Sequence, residues 1–266
     1  MIQILIGFLL GILVGFGAYR AGALTRSGAW AAALTGGLIF GLGGLPWAVL
    51  LLTFFISSSV LSRAFTKRKE ALSEKFSKGS RRDHGQVLAN GGLGALLAVA
   101  LVLLPDAGWQ WVAFAGAMAA VNADTWATEL GVLSSARPRL ITNGKVVERG
   151  TSGGVTLVGY LAALGGAGLI GFAAVLFTPG VAWLGFLGLI SLAGLAGSTI
   201  DSFLGATVQA IYYCPQCQKE TESYPVHGCG TETTQVRGWR WLNNDVVNLL
   251  CSLVGALVAA GVWYLT

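Results

Sequence analysis

Charge is what this sequence has least of. Asp, Glu, Lys and Arg make up 11% of its 266 residues, where a soluble domain carries roughly a quarter; that shortfall excludes an ordinary water-exposed globular surface. A Gly-Lys-Ser/Thr triplet is also missing, so the chain has no Walker A phosphate loop and is not a conventional P-loop ATPase. No basic stretch precedes the first apolar run, Ile2 to Ala18, and no small-residue cleavage site follows it. That run reads as a retained helix rather than a signal peptide.

What the sequence has instead is hydrocarbon in long runs. Hydrophobic residues reach 54%, and mean hydropathy is +0.68. Apolar segments fall at 2–19, 28–44, 46–64, 87–104, 109–130, 155–178, 181–211 and 244–265. Each is near the roughly 20 residues that a helix needs to cross a bilayer. The reading is an all-α, polytopic transmembrane helical bundle of about eight spans, with residues 1–266 as a single membrane domain. The 39 glycines suit close helix packing and broken helices.

Alternating sides along eight spans sends all 17 basic residues to one face. Arg20 and Arg26 lie between the first two spans, and Arg63 through Arg82, including Lys67, Arg68, Lys69, Lys75 and Lys78, between the third and fourth. Arg137, Arg139, Lys145 and Arg149 follow the fifth, and Lys219, Arg237 and Arg240 the seventh. The positive-inside rule makes that face cytoplasmic and puts both termini on the other side. Residues 65–86 then form a cytoplasmic basic loop, part helical, with Glu70 and Glu74 four apart. Residues 212–243 form a second cytoplasmic loop. The pI of 9.2 reflects basic residues facing an anionic leaflet, with no call on nucleic acid as a partner.

The few acidic residues inside apolar segments are the informative ones. Asp124 and Glu129 lie in Val121-Asn122-Ala123-Asp124-Thr125-Trp126-Ala127-Thr128-Glu129, Asp201 in Ser198-Thr199-Ile200-Asp201-Ser202, and Asp245 in Asn243-Asn244-Asp245. A carboxylate in hydrocarbon needs a partner, a metal or a water-filled cavity. Asp245 has a second reading as a helix cap, and Glu129 as a marker of the membrane interface. Together these carboxylates suggest a divalent cation, and magnesium often sits between protein carboxylates and substrate phosphates. Arg82, Arg137, Arg139 and Arg149 are near in predicted depth, and Arg149-Gly150-Thr151-Ser152-Gly153-Gly154 offers a glycine-rich anion cradle before a helix. Asp124-Thr125-Trp126 and Asp201-Ser202-Phe203 echo one another, as do Arg26-Ser27-Gly28 and the Arg149 segment, a weak internal repeat of the kind that places sites at repeat interfaces.

Cys214 and Cys217 form Cys-x2-Cys, with His227-Gly228-Cys229 ten residues beyond. Three thiolates and an imidazole suffice for a closed, structural zinc site. Reduced free thiols and a redox pair are the alternatives; a cytoplasmic position argues against a disulfide framework. Cys251 lies inside the last apolar span and reads as packing.

Six ordered motifs carry a resemblance across almost the whole chain: Leu24-Thr25-Arg26-Ser27-Gly28-Ala29; Arg82-Asp83 with Gln86 and Asn90-Gly91-Gly92; Asn122 through Gly131; Gly150-Thr151 with Gly153-Gly154-Val155; Asp201-Ser202 with Gly205-Ala206-Thr207 and Gln209; and Asn243-Asn244-Asp245 with Val247-Asn248. With them the sequence resembles the DUF92 integral membrane family, which includes plant phytyl-phosphate kinase. That resemblance implies phosphoryl transfer from a nucleoside triphosphate, CTP in the first instance, to an isoprenyl monophosphate such as phytyl phosphate. Magnesium would be the cofactor, and the product would feed tocopherol biosynthesis at a plasma or thylakoid membrane. Under that activity Asp124, Asp201, Arg82 and Asp83 are the candidate catalytic residues. Arg137, Arg139, Arg149, Thr151, Ser152, Asn90, Asn243 and Asn248 are candidates for binding the phosphates, and Asp124, Glu129, Asp201 and Asp245 for binding magnesium. The competing readings are an ion-coupled transporter and a CTP-dependent lipid nucleotidyltransferase. Transport is disfavoured because Asp106 is the one acidic residue left for the outer face.

Overall fold

A computed structural model describes residues 2–64, 81–105 and 108–265. The expected helix within 65–80 and the outer-face Asp106 lie outside the described residues. The architecture is all-α and polytopic: α1 (Ile2–Arg20), α2 (Arg26–Ala64), α3 (His84–Leu103), α4 (Trp109–Gly131), α5 (Leu157–Val175), α6 (Trp183–Thr207) and α7 (Asn244–Leu265). A two-stranded ribbon, β1 (Arg139–Leu140) with β2 (Gly154–Val155), precedes α5. A three-stranded antiparallel sheet of β3 (Ile211–Cys214), β4 (Lys219–Thr221) and β5 (Thr234–Arg237), in the order β4-β3-β5, replaces the loop expected before α7.

Among the described residues seven helices stand where about eight spans were expected, α2 being bent into two arms, and six of the seven are long and apolar enough to cross a membrane. Two causes account for the difference. The second and third expected segments are one helical stretch broken at Gly44, whose φ of 77° is open to glycine and precedes Pro46. A straight helix would separate Gly36 from Leu51 by roughly 22 Å, yet a Cβ on Gly36 would lie 3.9 Å from Leu51 Cδ2. The Arg63 guanidinium likewise donates to the Ala21 carbonyl, before the start of α2. The two arms of α2 therefore fold back on one another. The other cause is α4, whose last turns carry Asn122, Asp124 and Glu129 and make it less apolar than the rest, and whose neighbours cover it.

That covering follows from side-chain size. Every residue of α4 from Val112 to Ala123 is buried, and α2, α3, α5, α6 and α7 all pack on it. A Cβ on Gly116 would stand 2.3 Å from the Gly255 carbonyl oxygen, and one on Gly194 would stand 2.9 Å from Ala119. The backbones of α4, α6 and α7 thus touch where glycine and alanine meet, the small-residue packing that bilayer helices favour. Larger side chains pack on another side of α4, where Trp47 stacks on Phe114 with ring centroids 4.2 Å apart. Helix α1 lies at the edge, against α2.

The polar ends gather at one end of the bundle. Leu24 and Arg82 form a parallel bridge, Gly131 meets Gly159 and Gly153 meets Ala206, and the Ala210 amide donates to the Leu242 carbonyl over 2.9 Å.

Candidate active site

At this end of the bundle a cavity of about 500 Å³ opens among α2, α3, α4, the β1–β2 loop, α5, α6 and α7. Helical spacing aims its side chains. On α4, Asp124 and Thr128, and Thr125 and Glu129, are pairs four apart; on α6, Ser198, Asp201, Ser202 and Gly205 share one face. All but Gly205 line the cavity. The α4 segment is held by Asn122, which is fully buried and joins three helices. Its amide donates to Gly166 O at 2.7 Å, and its carbonyl oxygen accepts from Ser57 and Ser58 at 3.0 and 3.2 Å. Asp124 and Ser198 line the cavity together, and Ser62 donates to Glu129 at 2.8 Å.

Asp201 is the centre of negative charge. It lies close enough to Asp124 and Glu222 for their charges to repel its own, and its Oδ2 is buried without a hydrogen-bond partner. A carboxylate oxygen left in that condition is expensive unless a cation meets it. Glu222 was not singled out in the sequence, where it is one acid in a polar loop. The structure fixes it through a relay: Ser152 Oγ donates to Gln209 Oε1 at 2.9 Å, and Gln209 Nε2 donates to Glu222 Oε1 at 2.9 Å. Only the cysteine spacing five residues upstream hints that this loop is rigid.

Arg82 supplies positive charge from the opposite wall. Its amide donates to Ala23 O at 3.0 Å and its carbonyl accepts from the Thr25 amide at 2.9 Å. A Cβ on Gly28 would sit 2.2 Å from that carbonyl oxygen, so the Leu24-to-Gly28 motif exists as the seat of Arg82. The guanidinium lies over Phe54 and Phe55, 5.4 and 5.8 Å from the ring centroids, and its Nη1 is buried with no hydrogen-bond partner. Burial pulls its pKa down to about 10, which leaves it charged at neutral pH.

The glycine-rich loop closes the third wall. Gly153 has φ +80°, and a Cβ there would fall 2.4 Å from Ala206 Cβ and 2.5 Å from Ala206 N. This clamp presents Arg149, Thr151 and Ser152 to the cavity. Arg149 Nη2 also donates to Ser135 O at 3.1 Å.

Of the sequence candidates, Arg82, Asn90, Asp124, Glu129, Arg149, Thr151, Ser152, Asp201 and Asn248 line this one cavity. Asp83, Arg137, Arg139, Asn243 and Asp245 are not among its lining residues. Asp83 caps α3: its carboxylate accepts from the Gln86 amide at 3.0 Å, and Gln86 Oε1 accepts from the Asp83 amide at 3.2 Å. Since asparagine caps as well as aspartate, Asp83→Asn is expected to keep thermal stability and turnover near wild type; a large loss of turnover would give the carboxylate charge a direct role. Asn243 caps α7 through Val246 N at 3.1 Å, and Arg139 donates to Gly144 O at 2.9 Å. The expected four-carboxylate magnesium set does not close into one cluster. Among the described residues, the one group of three or more such side chains drawn together tightly enough to share an ion is Cys214, Cys217, His227 and Cys229.

In that group the four ligand atoms lie within 4.8 Å of one another. Cys214 and Cys229 sulfurs are 3.5 Å apart, and His227 Nδ1 is 3.5 Å from Cys217 and 3.3 Å from Cys229. Strand β3 supplies Cys214, the β3–β4 turn Cys217, and the loop before β5 the other two. The cluster can hold a metal.

Fold and site together define an integral membrane protein with an acidic and basic polar cavity at one end of its helical bundle. The chain belongs to the DUF92 integral membrane protein family, the match covering residues 9–256. It is 34% identical to Protein PGR of Arabidopsis thaliana across 97% of this chain and 95% of that protein. Uncharacterized membrane protein MJ0933 of Methanocaldococcus jannaschii is 29% identical across 97% and 93%. Protein VTE6, chloroplastic, of Arabidopsis thaliana is 25% identical across 89% of this chain and 64% of its own length. No solved structure matches the chain.

Proposed function

We propose that the protein is a kinase of lipid monophosphates, moving the terminal phosphoryl group of a nucleoside triphosphate, CTP in the first instance, onto an isoprenyl monophosphate such as phytyl phosphate. The observation that carries this reading is the cavity itself, in which Asp124, Asp201 and Glu222 face Arg82 and Arg149 at one end of a membrane bundle. The resemblance to the family of plant phytyl-phosphate kinase supports an isoprenoid role, and the similarity to Protein VTE6, chloroplastic, supports a chloroplast-type membrane setting. On this reading the basic end of the bundle is cytoplasmic, where nucleotide is dissolved, and the acceptor's tail stays among the helices.

Phosphoryl transfer asks a protein for position and charge neutralisation more than for covalent chemistry. An oxygen of the acceptor phosphate, already anionic, bonds to the donor's γ-phosphorus; the bond from that phosphorus to the β–γ bridging oxygen breaks, and nucleoside diphosphate leaves. No general base is needed. Arg82 and Arg149 hold the two phosphate groups from different walls, and the hydroxyls of Thr151 and Ser152 orient their oxygens. The oxygen donor set and the unpartnered Asp201 Oδ2 fit magnesium; Asp124 and Asp201, with Glu129 and Glu222 around them, would hold it. When bound, that ion neutralises charge on the phosphate oxygens.

Purified protein supplied with magnesium, phytyl or geranylgeranyl monophosphate and each of CTP, UTP, ATP and GTP tests this. The lipid diphosphate and a nucleoside diphosphate are the expected products. Pyrophosphate release would identify a nucleotidyltransferase, and no turnover with any donor would return weight to a transporter.

The Cys214–Cys229 cluster is assigned structural zinc. A zinc–sulfur length of about 2.3 Å gives a tetrahedral edge of roughly 3.8 Å, and the observed separations bracket that value. The protein is expected to purify with one zinc per chain by elemental mass spectrometry. Cys214→Ser should lose the metal and lower the melting temperature. Zinc-free wild-type protein of unchanged stability would refute the assignment.

A further inference from the structure

The polar cavity is not the only space at Arg82. A second cavity, of about 260 Å³, runs between α1, both arms of α2 and α3, and the two share Arg82, Gln86 and Asn90. Away from that junction its walls are hydrocarbon and glycine, among them Leu10, Val14, Ala48 and Leu51. Thr35 is the one further residue there with a polar side chain, and its hydroxyl is already donated to Ala31 O at 2.8 Å. An apolar slot that ends on a guanidinium has the form of a site for a molecule with an apolar tail and one anionic head.

We propose that this slot holds the isoprenyl tail of the acceptor, and that Arg82 grips its phosphate where the two cavities meet. This rests on the lipid-phosphate reading above and adds to it the site that selects the acceptor. Arg82 suits the junction on three counts. Its backbone is tied on both sides to Ala23 and Thr25, Phe54 and Phe55 hold its guanidinium plane, and Nη1 is buried without a hydrogen-bond partner. Guanidinium is the group that matches phosphate oxygens with paired donors. Gln86 and Asn90, one turn apart on α3, present amides to the same place.

Two glycines show that the slot is open. A Cβ on Gly36 would come no closer than 3.9 Å to any neighbour, and one on Gly91 no closer than 3.8 Å. A larger side chain at either position therefore grows into the slot instead of colliding with backbone. Gly7 and Gly11 differ, since a Cβ there would meet α2 backbone at 2.7 and 2.6 Å; they join α1 to α2.

The test is photo-crosslinking of the whole protein in detergent with geranylgeranyl monophosphate carrying a diazirine at the tail end, followed by peptide mapping. Adducts are expected on the slot walls, on peptides containing Leu10, Ala48 or Leu51, and unlabelled geranylgeranyl monophosphate should compete better than geranylgeraniol. Gly36→Leu and Gly91→Leu should each cut labelling at least about tenfold, and Arg82→Gln should abolish the advantage of monophosphate over alcohol. Adducts confined to other helices, or labelling untouched by both leucine variants, would overturn the proposal. The two readings fail separately. Slot labelling without diphosphate formation sinks the kinase and keeps the tail site; diphosphate formation with label elsewhere does the reverse.

Discussion

Asp201→Asn is expected to lower turnover by about three orders of magnitude while the protein folds and extracts normally. The substitution keeps the size of the side chain and removes its charge at the point where Asp124 and Glu222 also converge. It replaces an unpartnered buried oxygen with an amide that neutralises nothing. Charge stabilisation by a carboxylate-held cation is worth several kcal/mol in a transition state, and about 4 kcal/mol corresponds to a thousandfold. Because the interaction strengthens during transfer, the loss belongs in kcat more than in KM, and saturating magnesium should not restore it. Relief of like-charge repulsion can even raise the melting temperature slightly. A folded Asp201→Asn protein with wild-type turnover at saturating magnesium would remove the centre of the site.

Gly153→Ala is expected to have the second largest effect, for a steric reason. The added methyl group requires a left-handed backbone on a residue with a Cβ, a strain of about 1–3 kcal/mol. It also lands 2.4 Å from Ala206 Cβ. Helix α6 is packed on α4 and cannot retreat, so the loop must move and carry Thr151 and Ser152 with it. That displacement breaks the Ser152–Gln209–Glu222 relay. Turnover should fall at least about a hundredfold, as when an arranged electrostatic donor is lost, with only a modest drop in melting temperature. Gly180→Ala is the control. Its φ of +84° imposes the same backbone strain, but nothing lies within 4 Å of the added Cβ, so it should lose stability and keep activity. Equal activity losses in the two variants would mean that strain alone, and not the clamp on Ala206, matters.

The membrane class, the helical architecture and most of the cavity were legible in the sequence because bilayers impose simple rules. Long apolar runs had to be helices, and a carboxylate within one had to be answered. Asp124 and Asp201 met both conditions, Arg82 and Arg149 were the cations expected beside them, and all four line one cavity. The break at Gly43–Pro46 was legible as a turn, and Gly44 is where the two arms of α2 part; that α4 would be a covered, more polar helix was not, since its burial comes from its neighbours. Asp83 and Asn243 were harder still: acids and amides beside a site and those capping its helices have the same composition, and only geometry separates them. Glu222 carried no signal of its own. Its place depends on a hydrogen-bond relay across 57 and 13 residues of chain, contacts that no local pattern encodes. The three-stranded sheet was hidden for a related reason, because strands of three or four residues are too short for an alternating pattern to show.

The account stands most directly on where the phosphorus goes. Purified protein should be given CTP labelled at the γ-phosphate with magnesium and phytyl monophosphate, and the label followed by chromatography. The expected result is label in the terminal phosphate of phytyl diphosphate, with unlabelled CDP released in equal amount, and none of this in the Asp201→Asn protein. Label appearing in pyrophosphate, or remaining wholly in CTP while the lipid stays a monophosphate, would contradict it.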